Sequence, residues 1–209
     1  MKGVRERRLR DKVAEASIAE EDKLRAQWYA LVARLLSAAP DLATLEAVRG
    51  LDGDQTEIGR GIAALAAAAR GVTPSAVEEE YFNLFIGVGQ GELLPYGSYY
   101  LTGFLHEKPL ARLRIDMDRL GIARADEVKE PEDHIASLCE MMSGLITGEF
   151  GAPIDLVEQR RFFDQHIGCW APRFFEDLEA AKSAAFYMPV GTIGRVFMAI
   201  EAQGFEMAA

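Results

Sequence analysis

Cysteine, histidine and surplus positive charge are scarce in this chain, and long hydrophobic runs are missing. Its two cysteines, Cys139 and Cys169, have no Cys-x-x-Cys spacing. Neither a zinc cluster nor a disulfide framework is therefore expected. Both lie inside apolar-periodic segments, which predicts buried thiols in a reducing cytoplasm. The longest nearly apolar run, residues 62–69, is far shorter than the roughly 20 residues that cross a bilayer. No stable membrane insertion is expected. Long alternations of Val, Ile and Thr are absent, and with them the signal of half-buried strands. A formal net charge of −10 speaks against nucleic acid, which calls for clustered surplus cation. His-Glu-x-x-His does not occur. Gly87, Gly89 and Gly91 stand at alternate positions after a helical segment. Without Gly-x-Gly-x-x-Gly spacing or a following Lys-Ser/Thr, they read as a loop rather than a phosphate cradle.

What remains is rich in helix formers. The 209 residues are 49% hydrophobic and 27% charged, enough for a real core. Ala, Leu, Glu and Arg recur, which predicts an all-α protein of roughly nine or ten helices. Residues 1–16 read as a basic arm and 17–209 as one helical domain. From Met1 to Lys12 six cations oppose two acids, a net +4, which leaves −14 for the remainder. Arg7-Arg8 has no apolar stretch behind it, so it does not read as an export signal of this chain.

The chain in order gives the following expectations. Ser17 with Glu20 forms a capping box for a helix over 18–36, with Leu24, Trp28, Leu31 and Leu35 on one face and Tyr29, Val32 and Leu36 beside it. A short helix runs from Pro40-Asp41 to Val48. Thr56 to Arg70 is helical, and Gly59 and Gly61 would let another helix approach closely. Thr73-Pro74 opens a helix that reaches Tyr81, Phe82 and Phe85, all taken as core. Ser98 caps a helix that Pro109 interrupts. Leu110, Leu113, Met117 and Leu120 then mark a helix ended by Gly121. Residues 122–129 are a polar connection. Pro131 takes the first position of a helix to Thr147, with Ile135, Leu138, Met142, Leu145 and Ile146 inward. Pro153 opens another to about Ile167. Phe162, Phe163, His166, Trp170, Phe174, Phe175 and Leu178 form a dense aromatic run. Pro189 starts a last helix, with Ile193, Val196, Phe197 and Ile200 on one face, ended by Gly204.

Three constellations bear on function. Glu130-Pro131-Glu132-Asp133-His134 places a histidine among carboxylates at the mouth of a helix. As metal ligands, His134, Asp133, Glu130 and Glu140 would make a helical metal-dependent hydrolase. Against that, Ser137 and Leu138 are the residues that share a helical face with His134. Ser98, Cys139 and Cys169 are possible nucleophiles, but no nucleophile elbow surrounds Ser98, and neither cysteine stands at an evident helix N-terminus. The third constellation is a groove. Pro95, Tyr96, Tyr99 and Tyr100 beside the 130–134 turn would set an aromatic wall against acids, suited to an apolar segment next to Arg or Lys. A plain helical adaptor is the remaining reading.

The spacing of these motifs resembles the TorD/DmsD/NarJ family of redox-enzyme maturation chaperones. The resemblance rests on Glu80-Tyr81-x-x-Leu84-Phe85-x-Gly87, Pro95-Tyr96-x-Ser98-x-Tyr100 and Glu130-Pro131-x-Asp133-His134. Phe163-x-x-His166-x-x-x-Trp170-x-x-x-Phe174 and Phe186-Tyr187 extend it, so that it covers about residues 24–200. Gly97 stands where many members carry an acid, which removes one candidate contact for an arginine. The resemblance implies a cytoplasmic, all-helical chaperone, not an enzyme, with no cofactor of its own. Its partner would be the catalytic subunit of a molybdenum-cofactor oxidoreductase, held by its twin-arginine leader or in its apo form. Holding it would assist cofactor insertion and delay export. The peptide-binding set implied is Pro95, Tyr96, Ser98, Tyr100, Glu130, Pro131, Asp133 and His134. A monomer or a domain-swapped dimer is expected, with 122–130 as the hinge.

Overall fold

Five helix starts are fixed by a side chain that accepts a free backbone N–H: Asp41 from Thr44, Thr56 from Gly59, Thr73 from Ala76, His134 from Ala136 and Asp155 from Glu158. Such caps satisfy donors that the helix cannot. The computed structural model describes residues 18–124 and 130–208. Among these there are ten α-helices and no strand. They are α1 (Glu20–Ser37), α2 (Leu42–Arg49), α3 (Glu57–Arg70), α4 (Pro74–Tyr81), α5 (Gly97–Thr102), α6 (Lys108–Leu120), α7 (Ile135–Thr147), α8 (Leu156–Phe162), α9 (Ala171–Ala180) and α10 (Met188–Met207). π-helical turns, Phe82–Ile86 and Phe163–Ile167, extend α4 and α8.

One apolar cluster joins these elements. Its main contacts are α1 on α7 and α9 on α10, with α10 also crossing α3. Glycines set the closeness of the α10 crossings. A Cβ at Gly61 would come within 2.9 Å of Ile193 Cγ1, and one at Gly194 within 2.2 Å of the Phe175 ring. Tyr29 meets Phe197 edge-on at 4.8 Å between ring centroids. The Tyr29 hydroxyl donates to buried Glu201, which also holds Arg25 at 2.8 Å.

Two carboxylates pin the loop before α10. Glu80 accepts the backbone N–H groups of Ala185, Phe186 and Tyr187 at 2.8–3.0 Å. Glu92 accepts those of Lys182 and Ser183 at 2.7 and 3.0 Å. Glu80 opens one sequence motif and Phe186-Tyr187 is another, so these two motifs are partners in space.

Several boundaries and faces differ from the sequence reading. Ser17 lies outside the described residues, and Ala19 stands at the N-cap of α1 without a side-chain bond. Of the residues expected inward on α1, Tyr29, Val32, Leu35 and Leu36 are buried and Trp28 and Leu31 pack partly buried against the core, while Leu24 is exposed and Ala26 and Ala33 join the buried face. The expected stripe departs from the observed one only at its first residue, a turn from the start of the helix. Pro131 does not open α7. The 130–134 segment is a turn, and His134 caps the helix instead. Ser98 lies inside the first turn of α5, where Tyr96 holds the N-cap position. Gly103, at φ 83°, ends α5, and Pro109 falls in the first turn of α6, where its missing N–H costs nothing. Asp155, rather than Pro153, caps α8. α10 runs through Gly204, and Ile200 is exposed. The π-helical turn carries an extra residue, which leaves Phe82 exposed while Leu84 points inward. Cys139 is buried, but Cys169 is exposed. The basic arm and residues 125–129 of the expected hinge lie outside the described residues.

Candidate functional site

Two segments far apart in sequence meet as a short antiparallel bridge between Tyr96 and His134. Ile135 donates its N–H to Pro95 O at 2.9 Å, and Gly97 donates to Asp133 O at 2.9 Å. The Pro-Tyr-x-Ser and Glu-Pro-x-Asp-His motifs are thereby fixed to each other through backbone. Side chains reinforce this. Asp133 Oδ2 accepts the Ser98 N–H at 2.6 Å, placing a carboxylate at the free amides that open α5. His134 Nδ1 accepts from Ala136 at 3.1 Å, which assigns the ring proton to Nε2. Tyr96 stands edge-on to the His134 ring at 5.2 Å and donates its hydroxyl to Glu130.

The electrostatics follow from this packing. His134 is buried, and loss of solvent pushes its pKa down to about 4 against the opposing charges of Glu130 and Asp133. It is a neutral ring at physiological pH. Tyr81 is pushed up to about 12 by burial and by the charge of Glu130. Burial also raises Tyr96, joined by its hydrogen bond to Glu130. Burial opposes ionisation of Glu132, but Arg114 outweighs it through three contacts at 2.8–3.2 Å, so Glu132 titrates below its ordinary value.

The bridge forms the floor of a groove between α1, α4, α7 and the loop before α5. One compartment, about 230 Å³, has Tyr81, Phe85, Ile86, Pro95 and Tyr96 as its apolar wall and Glu130, His134 and Glu140 as polar lining. An adjoining compartment of about 580 Å³ continues past Ala33, Met117, Ile122, Met141 and Phe150 to Glu132 and Glu149. Ser37, Glu130, Ser137 and Glu140 line both. Among the described residues, Glu130, Glu140 and Glu149 have no Lys or Arg within ion-pair distance. Glu140 titrates above its ordinary range, first through partial desolvation and then through repulsion from Glu149. Among the described residues the groove thus sets four carboxylates, Glu130, Glu132, Glu140 and Glu149, against two cations, Arg34 and Arg124, the latter paired with Glu132, beside an aromatic wall.

Of the residues expected to bind peptide, Pro95, Tyr96, Glu130 and His134 share this groove. Asp133 lies beneath it and Pro131 belongs to the turn that carries Glu130. Ser98 is fully buried in α5. Tyr100 turns the other way, stacking on Trp170 at 5.3 Å and donating to Asp177. The sequence reading missed Ile86, Ser37 and Ser137, and treated Tyr81 and Phe85 as core. A signal existed in Ala30, Ala33, Arg34 and Ser37, one helical stripe of α1 that lines the larger compartment. Small residues in such a stripe read equally well as a helix contact. The donors of the metal reading diverge. His134 Nδ1 is committed to Ala136 and Asp133 Oδ2 to Ser98, and among the described residues no group of three His, Cys, Asp or Glu is placed to hold a metal. No helix among them is long and apolar enough to cross a membrane.

Among the described residues, ten helices around one core, with two motifs bridged beside a groove, define an all-α fold. A crystal structure described as a redox enzyme maturation protein from Archaeoglobus fulgidus shares this fold, with a TM-score of 0.55 over 84% of this chain and 93% of its own, at 22% identity. A family profile described as nitrate reductase delta subunit matches residues 51–176. The chain belongs to this family, the TorD/NarJ family of redox-enzyme maturation chaperones. Relatives include the chaperone protein TorD of Photobacterium profundum, 30% identical over 119 residues, 52% of this chain and 54% of that protein. The TorD of Aliivibrio fischeri is 29% identical over 132 residues, 58% of this chain and 60% of its own. The chain thus spans about half the length of the curated relatives it matches, or a little more.

Proposed function

We propose that this protein is a chaperone that holds the catalytic subunit of a molybdenum-cofactor oxidoreductase before maturation is complete. It acts in the cytoplasm, takes the subunit by its twin-arginine leader or apo form, assists cofactor insertion and delays export. The observation that carries this reading is the groove over the Tyr96–His134 bridge, where Glu130 and Glu140, without a Lys or Arg partner among the described residues, stand beside Tyr81, Phe85 and Tyr96, and Glu149 lies further along. Leaders of this kind supply the complement of these groups, arginine followed by a short apolar run. Arginine meets carboxylates in charge-assisted pairs and stacks on aromatic faces. The apolar residues leave water against the wall.

A labelled peptide with two adjacent arginines followed by Leu and Ala, titrated into the protein and followed by fluorescence anisotropy, tests this. Ordering a loose peptide offsets much of the contact energy, so a Kd on the order of micromolar is expected. Glu130→Gln with Glu140→Gln should weaken binding about tenfold, at roughly 0.7 kcal/mol per carboxylate. Raising salt should narrow the difference. Equal affinity of wild type and variant at low salt would remove the groove from the reading.

A further inference from the structure

The acidic rim finds its chemical complement within the same chain. Segment 2–12 carries Lys2, Arg5, Arg7, Arg8, Arg10 and Lys12, against Glu6 and Asp11, and Val4 and Leu9 stand among the cations. Arg7-Arg8-Leu9 repeats in small the pattern of paired arginine and apolar residue that the groove fits. Resting on the function proposed above, we propose that this arm is an internal occupant of the groove and competes there with the client.

Two observations support the arm as occupant. The first is charge. Four carboxylates line the groove against Arg34 and Arg124; Glu130, Glu140 and Glu149 make no ion pair with a described Lys or Arg, and residues 13–209 carry a net charge of −14. A cationic segment is therefore drawn to this rim. The second is reach. The groove begins on α1 at Ala30 and extends to Ser37. At 1.5 Å per residue, Ala30 lies about 18 Å along α1 from Ile18, and Ser37 about 28 Å. Leu9 is nine residues before Ile18, and nine residues of extended chain cover about 30 Å. Arg7, Arg8 and Leu9 can thus fold back along α1 to the compartment edge. Lys2 and Arg5 can go further, to the rim at Glu130.

A tether of this length holds the arm at an effective concentration on the order of millimolar. If the arm binds the groove weakly, with an intrinsic constant about a third to a tenth of that, it raises the client's apparent Kd roughly three- to tenfold. The device would release weak, poorly matched segments and yield to a leader with a longer apolar run.

The test uses the full chain. With Leu9 replaced by the photo-crosslinking residue p-benzoylphenylalanine, illumination without client should link position 9 within one chain to Met141, Ile122 or Phe85. Glu130→Gln with Glu140→Gln should diminish the product. Crosslinks elsewhere on the surface, links only between copies, or none at all would overturn the proposal. In parallel, Arg5, Arg7, Arg8 and Arg10 changed together to Ser should bind the arginine-leucine peptide three- to tenfold more tightly at low salt, with no difference at high salt. Unchanged affinity in a protein that still binds the peptide would refute the competition alone. Groove crosslinks in a protein that binds no leader, with or without the arm's arginines, would sustain the arm contact and refute the client reading instead.

Discussion

Replacing His134 by Asn isolates one buried proton site. Nδ1 of His134 accepts the Ala136 N–H that opens α7, and Asn is among the best residues for that capping bond. The variant keeps the cap and removes the titration. In the native protein the ring stays neutral down to a pKa of about 4, against an ordinary 6.5. A proton on Nδ1 would face the Ala136 N–H, and the charge would lie in a nearly dry site. The unfolded chain takes up its proton near the ordinary value, so protons favour the unfolded state. Stability from this group is fully present above pH 6.5 and is lost as pH falls toward 4. At pH 5 the unfolded ring is almost wholly protonated and the native one about a tenth, a loss of about 2 kcal/mol. Urea unfolding followed by circular dichroism at pH 7 and pH 5 gives the comparison. Other groups titrate on the same acid limb. His166 is lowered mainly by burial, while despite burial Asp116 is held low by hydrogen bonds from His166 and Arg119, Glu132 by Arg114 and Glu179 by Arg195. The quantity of interest is therefore the difference between proteins. Wild type should lose about 2 kcal/mol more than His134→Asn between the two pH values. Equal losses, within about 0.5 kcal/mol, would show that His134 is not held neutral by burial.

Glu80→Gln should leave the loop before α10 with an acceptor too few for the N–H groups of Ala185, Phe186 and Tyr187. Charge-assisted bonds of this kind contribute about 1.5–3 kcal/mol, so a fall in Tm of roughly 4–10 °C is expected in a thermal melt. A shift under about 1 °C would mean that water replaces the carboxylate freely. Gly194→Ala should cost about 1–3 kcal/mol, because its Cβ would fall 2.2 Å from the buried Phe175 ring. A lower urea midpoint at unchanged slope is the expected signature, and an unchanged midpoint would show that the ring has room to move.

These three sites also mark how far the sequence could be read. Helix existence was legible almost throughout, because it depends on local periodicity and on caps a few residues away. Thr56, Thr73 and Pro74 act as their positions predict, and the five residues read as inward on α7 are all buried, joined by Ala136, Cys139, Met141 and Gly144. Faces were read in part where apolar periodicity offered two registers, as in α1, where Tyr29, Val32, Leu35 and Leu36 are inward as read but Leu24 points to solvent and Ala33 to the core. Starts failed where Pro preceded a better cap. Pro131 and Pro153 both suit a first turn, yet His134 and Asp155 hold the side-chain acceptors, which a rule on φ alone does not weigh. The site was legible as motifs and illegible as geometry. Pro95, Tyr96, Glu130 and His134 come together only because a bridge spans 38 residues of sequence, whereas Ser98 and Tyr100, in the same motif as Tyr96, lie on other faces of α5. Glu80 and Phe186 are 106 residues apart and joined by a carboxylate. Their co-occurrence as motifs carried the family resemblance, but the reason for it is a contact. A motif here therefore marks two different things, groove wall at Tyr96 and Glu130, scaffold clamp at Glu80 and Asp133. The substitutions above separate them: loss at Glu80 should appear in unfolding, and loss at Glu130 in peptide binding with the fold intact.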